Sequence, residues 1–420
     1  MSAALKKVEE QKEKFDLYNA EHPFLQHPGL KPGSKPMAVL LYDRAQGNNP
    51  IFLDASAEAE PQPTSSAEAV RGLLVNLSFG GSHPDKSNPL STGKENTMYA
   101  GPLCARLVVI VEGESLIKTL LLNLLVGEKA GQPAWERPIP PHPAKKRAEG
   151  LCDRYTRMTR FIRLQPSESG DQALSTALHM GEAIDDDPDL LIDPMMPLYL
   201  AADKKLKVQR IDPGRALWRS SHVLLNCRSR TDARPAKAME ELSEKSLEAG
   251  LTASEPVGLR VLGVAGNAQG PTTVLWRDET LPFNLSVVAD ESKFANVVQA
   301  ISFADDEGQR LRKRIFSFAM KYLQVASPSP KSEDGQQLAD EIAPGLQEYW
   351  SRLSLKGAVL GLGAIDPEQW EMEVNAASKA AFEKAVEAIP PSGRRYRAQF
   401  ERPSSPDRSA KSKAKSEVVK

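Results

Sequence analysis

Apolar residues change their spacing part-way along this chain. Up to about residue 283 they come in short runs between turn-forming residues; beyond it they recur every three or four positions. In the first part, good helix formers near 3–16 predict an opening helix, and Pro23 and Pro28 stop it from continuing. PMAVLLYD is a short apolar segment. SSAEAVRGLLVNLSF (65–79) predicts a helix capped by Ser65 or Ser66, with Val70, Leu73, Leu74 and Leu77 on one face and its end at Gly80-Gly81. A polar stretch rich in Gly, Ser, Pro and Asn then runs to Gly101 as a long loop. ARLVVIVEG (105–113) predicts a buried strand, ESLIKTLLLNLLV the helix after it, and QPAWERPIPPHP a proline-rich connector.

AEGLCDRYTRMTRFIRL reads as a helix passing into a strand, and TALHMGEAI as a strand. PLYLAADKKLKVQRI predicts a hairpin with Asp203-Lys204-Lys205 at its tip. DPGRALWRSSHVLL predicts a helix with Asp212 as cap and Pro213 in its first position, and a second helix follows over 234–249. GLRVLGVAGNAQGPTTVLWRDETLPF (258–283) predicts a longer hairpin turning at Asn267-Ala268-Gln269-Gly270. A turn needs only Gly and one polar residue, so Gln269 is surplus to the turn itself.

Beyond Phe283 four apolar stripes recur at helical spacing. They are Phe294, Val298 and Ile301; Leu311, Ile315, Phe318 and Tyr322; Trp350 and Leu353; and Trp370, Val374, Ala377 and Ala381. Breaks are expected near Gly308, at 327–335 and near 361–367. The fold class is therefore α+β. A mixed α/β body with β-hairpins covers 1–283, a C-terminal helical bundle of four-helix type covers 284–400, and a polar, basic, disordered tail covers 401–420.

A length of 420 residues allows a large core, and a net charge of −1 means that any basic surface is local. Three scattered cysteines, Cys104, Cys152 and Cys227, give neither a disulfide framework nor a zinc knuckle, which fits a reducing cytoplasm. No apolar run is long enough to span a membrane, and the charged N-terminus is not a signal peptide. The six histidines fall in no metal-ligand spacing, and no nucleophile-elbow, P-loop or CxxC motif exists. GLGAID (361–366) does not follow a strand. The acidic run IDDDPDLLID (184–193) reads as a solvated turn or a divalent-metal site. No catalytic residue, metal or cofactor is assigned. Three basic features suit phosphate contact: RLRKR, with Arg310 and Arg314 on one helical face; Arg394, Arg395 and Arg397; and the Lys204-Lys205 tip.

Several stretches, in order, resemble one family. They are NAEHPFLQ with GNNPIF, GPLCARLVVIVEGESLIKTLLLNLL, QPAWERP and RIDPGRALWRSSHVLL, joined by NAQGPTTVLWRDETLPF and the helical C-terminal half. The chain resembles the CasA family, the large subunit of the type I-E CRISPR surveillance complex Cascade, over roughly residues 15–390. The resemblance implies a non-enzymatic subunit in antiviral defence that reads the protospacer-adjacent motif (PAM) on double-stranded DNA and begins R-loop formation. Its partners would be the other Cascade subunits, the guide RNA, the target duplex and the helicase–nuclease effector, with sequence itself read by guide pairing.

The resemblance also implies site residues. Gln269, with Asn267 beside it, matches a glutamine wedge that splits the duplex. The unstacking cost is on the order of a few kcal/mol. Phe79-Gly80-Gly81-Ser82 matches a glycine-rich loop against the minor groove, where Gly80 and Gly81 would let backbone approach base edges. Lys204 or Lys205 matches a lysine finger, and Phe52 in Gly47–Asp54 matches an early contact loop. RLRKR, as Arg310, Arg312, Lys313 and Arg314, is a patch facing the displaced strand. The 82–100 loop is expected to order on DNA. The family opens with an additional N-terminal strand motif, so an unpaired sheet edge is expected here. Two other readings stand beside this one: a structural scaffold subunit without PAM discrimination, and a metal-dependent nuclease using Asp185, Asp186, Asp187 and Asp189.

Overall fold

The computed structural model describes residues 6, 9–33, 35–44, 62–93, 97–125, 129–184, 193–228, 233–242, 244–245, 251–252, 255–266, 273–324, 332–363, 365–389, 392 and 398. They divide into two compact units, one made of Met1–Arg215 and Val223–Leu281, the other of Ala216–His222 and Pro282–Lys420.

In the first unit the main helices are α1 (Ser66–Phe79) and α2 (Leu116–Asn123). The main strands are β1 (Val108–Glu112), β2 (Arg160–Pro166), β3 (Gln172–Met180), β4 (Leu198–Leu200), β5 (Leu206–Val208), β6 (Pro256–Gly266) and β7 (Thr273–Asn284). The hydroxyl of Ser65 accepts the Glu68 N–H at 3.3 Å and caps α1. Leu73 and Leu77 are buried as expected, while Leu74 is 42% exposed. Asn76 takes a place on the buried face with both amide hydrogens used, donating to Leu40 O at 2.8 Å and Gly72 O at 2.9 Å.

Antiparallel β2 and β3 pair from Arg160↔Met180 to Pro166↔Ala173. The two-residue strands Lys35–Pro36 and Thr64–Ser65 pair with the other side of β3. Phe161, Ile162, Leu164, Ala173 and Met180 join Leu73 and Met37 in one core. The far edge of β2 is partly covered: Ile162 O accepts the His27 N–H at 2.9 Å and the Leu164 N–H donates to Gln26 Oε1 at 2.8 Å.

A second sheet runs β7–β6–β1, with Gly258↔Glu112 through Leu262↔Val108 in antiparallel register. After β1, α2 buries only Leu122. Leu116, Ile117, Leu120, Leu121 and Leu124 are 47–74% exposed. The helix expected from 212 begins later. Asp212 Oδ1 instead accepts the Gly214 N–H at 2.9 Å and closes a turn, followed by a 3-10 segment Leu217–Ser220 and the helical Ser221–Leu224. Of the helix expected over 234–249, the described part is Lys237–Glu240 with its flank, and Ala233–Arg234 is instead a strand paired with β4. Of the opening helix, the described residues 6, 9 and 10 are α-helical, and after a turn at Gln11 the chain continues as a 3-10 segment, Lys12–Phe15.

The second unit contains α3 (Glu291–Leu323), α4 (Glu333–Ala358) and α5 (Pro367–Glu387). Chain breaks near 327–335 and 361–367 fall between these helices, but α3 runs unbroken through Gly308. A Cβ on Gly308 would lie 2.7 Å from Trp350, so the glycine serves close helix contact and does not end the helix. The first two apolar stripes thus share α3, and the four stripes lie on three long helices. Tyr349 donates to Ala304 O at 2.7 Å and Trp370 to Ala300 O at 2.8 Å, satisfying both buried polar tips against α3. Trp218, from the segment Ala216–His222, lies with its ring centroid 6.2 Å from Trp350 and 6.0 Å from Trp370.

Candidate nucleic-acid interface

The β4–β5 hairpin closes through Ala201 N–H to Lys205 O and Lys204 N–H to Ala201 O, both 2.9 Å. Lys204 sits at φ 61°, a left-handed conformation unusual for a side-chain-bearing residue. Asp203 pairs with Lys207 at 2.7 Å, and that hydrogen bond holds its carboxyl below the ordinary carboxylate range. Lys204 and Lys205 are exposed and have no partner among the described residues. The tip therefore presents two uncommitted ammonium groups on a short, closed turn.

Gly80 and Gly81 differ. A Cβ on Gly80 would lie 2.8 Å from the Arg160 guanidinium, so packing within the chain already requires glycine there. Nothing lies within 4 Å of the Cβ position of Gly81, and that residue alone of the pair faces open space. Described residues of the loop after them are bonded to neighbouring segments. Asp85 accepts the Met180 N–H at 2.6 Å, Asn88 donates to Met180 O at 2.9 Å, and His142 bonds Leu90 O at 3.0 Å. Arg160 donates to Gly81 O at 2.6 Å, to Thr159 O at 3.1 Å and to Tyr99 O, joining the two ends of the loop. Burial pushes its guanidinium pKa down from the ordinary arginine value to about 10. Sequence reasoning missed Arg160, since an arginine opening an apolar strand carries no signal beyond its misfit with the strand's pattern.

The β6–β7 hairpin has strands of 11 and 12 residues. Its root is braced by Arg260, which makes two 2.7 Å bonds to Asp278, and by Thr280, which donates to Glu112 at 3.1 Å. Buried Arg277 bonds Arg215 O at 3.1 Å and Glu279 at 2.7 Å. Asn267 and Gln269 lie outside the described residues, as do Phe52, the run Asp185, Asp186, Asp187 and Asp189, the cluster Arg394, Arg395 and Arg397, and the tail 401–420.

In the second unit two side chains of RLRKR have partners. Arg310 is paired with Glu307 at 2.9 Å, and Arg314 stacks over Phe382 at 4.7 Å. Arg312 and Lys313 are exposed, and their side chains have no partner among the described residues. No cluster of three or more potential metal ligands occurs among the described residues, and no described helix is long and apolar enough to cross a membrane.

The family profile of CRISPR-associated protein Cse1 matches residues 2–387. The chain belongs to the Cse1 family. Cse1 is also called CasA, so the chain is a large-subunit protein of the Cascade class. A CasA/Cse1 protein of Thermus thermophilus is 26% identical over 363 residues, covering 81% of this chain and 68% of that relative. The crystal structure of Thermus thermophilus CasA superimposes with a TM-score of 0.76 at 22% identity, covering 94% of this chain and 79% of that one. A chain of a solved CRISPR RNA-guided surveillance complex gives a TM-score of 0.69 at 20% identity, covering 95% and 80%. The Cse1 fold thus extends over nearly the whole chain.

Proposed function

We propose that this chain is the non-catalytic large subunit of a type I-E Cascade complex in the cytoplasm. It joins the other Cascade subunits and the guide RNA, recognises the PAM in double-stranded target DNA, starts strand separation for R-loop formation and helps recruit the helicase–nuclease. The observation that carries the reading is the rooted β6–β7 hairpin. Its long paired strands satisfy their own backbone, and the Arg260–Asp278 bidentate pair stiffens the root. Such a lever can press a polar tip, here Asn267 and Gln269, against stacked base pairs. The unpaired Lys204 and Lys205 offer flexible ammonium groups to phosphates or minor-groove acceptors, and Gly81 offers bare backbone.

The test is a mobility shift at stated salt. The chain is assembled with the other subunits and a guide, then offered duplexes that share one protospacer and differ only in the adjacent motif. Tighter binding to some motifs, lost in Gln269→Ala and in the Lys204→Ala/Lys205→Ala double variant, is expected. Equal binding to every motif by the intact complex makes the chain a scaffold.

A further inference from the structure

Above the β6–β7 root lies a groove of about 580 Å³ whose walls include Leu41, Tyr42, Val75 and Trp276. Trp276, on β7, is 44% exposed, which is unusual for the largest aromatic side chain in a strand. Tyr42 meets it edge-on at 5.1 Å between ring centroids, and Phe79 stands 6.0 Å away. The indole is thus held in place by two rings while part of its surface stays in water. Two exposed charges, Asp43 and Arg71, also line the groove, and neither has an ion-pair or hydrogen-bond partner among the described residues. The neighbouring charges Arg44 and Glu68 pair with each other at 3.8 Å. Among the described residues, what remains is an aromatic wall, a cation and a carboxylate without partners.

We propose that this groove is a stacking site for one unpaired guanine nucleotide, its base on Trp276, its Watson–Crick edge toward Asp43 and its phosphate toward Arg71. Stacking on aromatic side chains is how proteins hold unpaired bases, and it tolerates any base. Guanine has two adjacent N–H donors on its Watson–Crick edge, which a carboxylate accepts together. An aliphatic anchor from a protein partner would fill the apolar wall and leave Asp43 and Arg71 to be desolvated without partners. A nucleotide brings the opposite charge or the donors to each. The groove also joins the two elements proposed to face DNA, because Phe79 directly precedes Gly80 and Trp276 belongs to the long hairpin. The inference goes beyond PAM reading and does not depend on it, since the ligand is a single strand.

The test is fluorescence anisotropy of the full chain with end-labelled octamers: all-thymidine DNA, the same with one central guanine, and the uridine and guanine RNA equivalents. The DNA and RNA arms separate a displaced strand from the guide as the source. The guanine octamer is expected to bind more tightly than its all-pyrimidine counterpart in at least one arm. Trp276→Ala is expected to weaken guanine binding by about tenfold, within the range of base–aromatic stacking, while Trp276→Phe keeps most of it. Asp43→Asn is expected to remove the guanine preference and leave thymidine binding unmoved. Motif-dependent duplex binding by the assembled complex is measured in parallel and reports the PAM reading separately. Octamer binding unchanged in both Trp276→Ala and Asp43→Asn overturns the proposal. So does a Trp276→Ala chain that fails to enter the complex while binding octamers normally, since the groove is then a protein contact.

Discussion

Replacing Arg160 by methionine keeps an unbranched stem in the core and removes the guanidinium that joins Gly81, Thr159 and Tyr99. Hydrogen bonds from a charged group are worth about 1.5–3 kcal/mol each, so the three together contribute about 4–9 kcal/mol. Against this stands the burial of the cation, which is 1% exposed. The fall of its pKa from the ordinary guanidinium value to about 10 corresponds to a cost of about 3 kcal/mol. The hydrogen bonds win, and Arg160→Met is expected to destabilise the first unit by about 3 kcal/mol, with Arg160→Lys between it and the native chain. Because the folded pKa is depressed, the burial cost is constant near neutral pH and is relieved only as pH rises through about 10. Urea unfolding near neutral pH measures the loss, and timed trypsin cleavage at Lys86 reports whether the loop has come free. A change below about 0.5 kcal/mol, the level of an ordinary surface substitution, with unaltered cleavage at Lys86, would refute the clamp.

Gly308→Ala forces a methyl group against Trp350, and overpacking of this kind should lower the stability of the helical unit by about 1–3 kcal/mol, read as a lower melting temperature. Lys204→Gly should relieve the left-handed backbone and stabilise the chain by about 1 kcal/mol while weakening DNA binding by the assembled complex. Each of Lys204→Ala and Lys205→Ala should make the salt dependence of that binding shallower by about 1 on the log–log plot. Burial, with His142 nearby, holds the His27 imidazole below its ordinary 6.5; it donates to Pro140 O at 2.9 Å and accepts the Gly29 N–H at 3.1 Å. Its stabilising contribution is therefore complete above pH 6.5 and lost as pH falls through the lower folded value. Urea midpoints from pH 8 to pH 5 should decline less in His27→Gln than in the native chain.

Elements with a clear period and a cap were legible in the sequence: α1 with Ser65, β1 and the helix after it, and both hairpins. Errors came where one residue type serves two purposes. In the sequence Gly308 looks like punctuation but is a contact surface, and Asp212 looks like a helix cap but closes an Asx turn. The lysine tip could be located by sequence because a hairpin tip is a local feature. Whether Arg310 is free depends on Glu307 one turn earlier, and Arg314 is held by Phe382 from another helix. The Arg160 clamp and the Trp276 groove depend on residues brought together from distant parts of the chain, and spacing along one segment carries no trace of such meetings.

The short segment Ala216–His222 leaves the first unit, contributes Trp218 to the second, and returns. During synthesis Trp218 emerges long before Trp350 and Trp370, the rings it packs against. The N-terminal unit therefore cannot finish as a closed body and be left behind, since a loop of it stays committed to helices not yet made. Ribosome-bound chains halted before Trp350 should expose this tryptophan to solvent or to chaperones, and completion of the two units should be concurrent and not sequential. A C-terminal fragment that starts at Pro282 would lack that ring and leave its place between Trp350 and Trp370 unfilled.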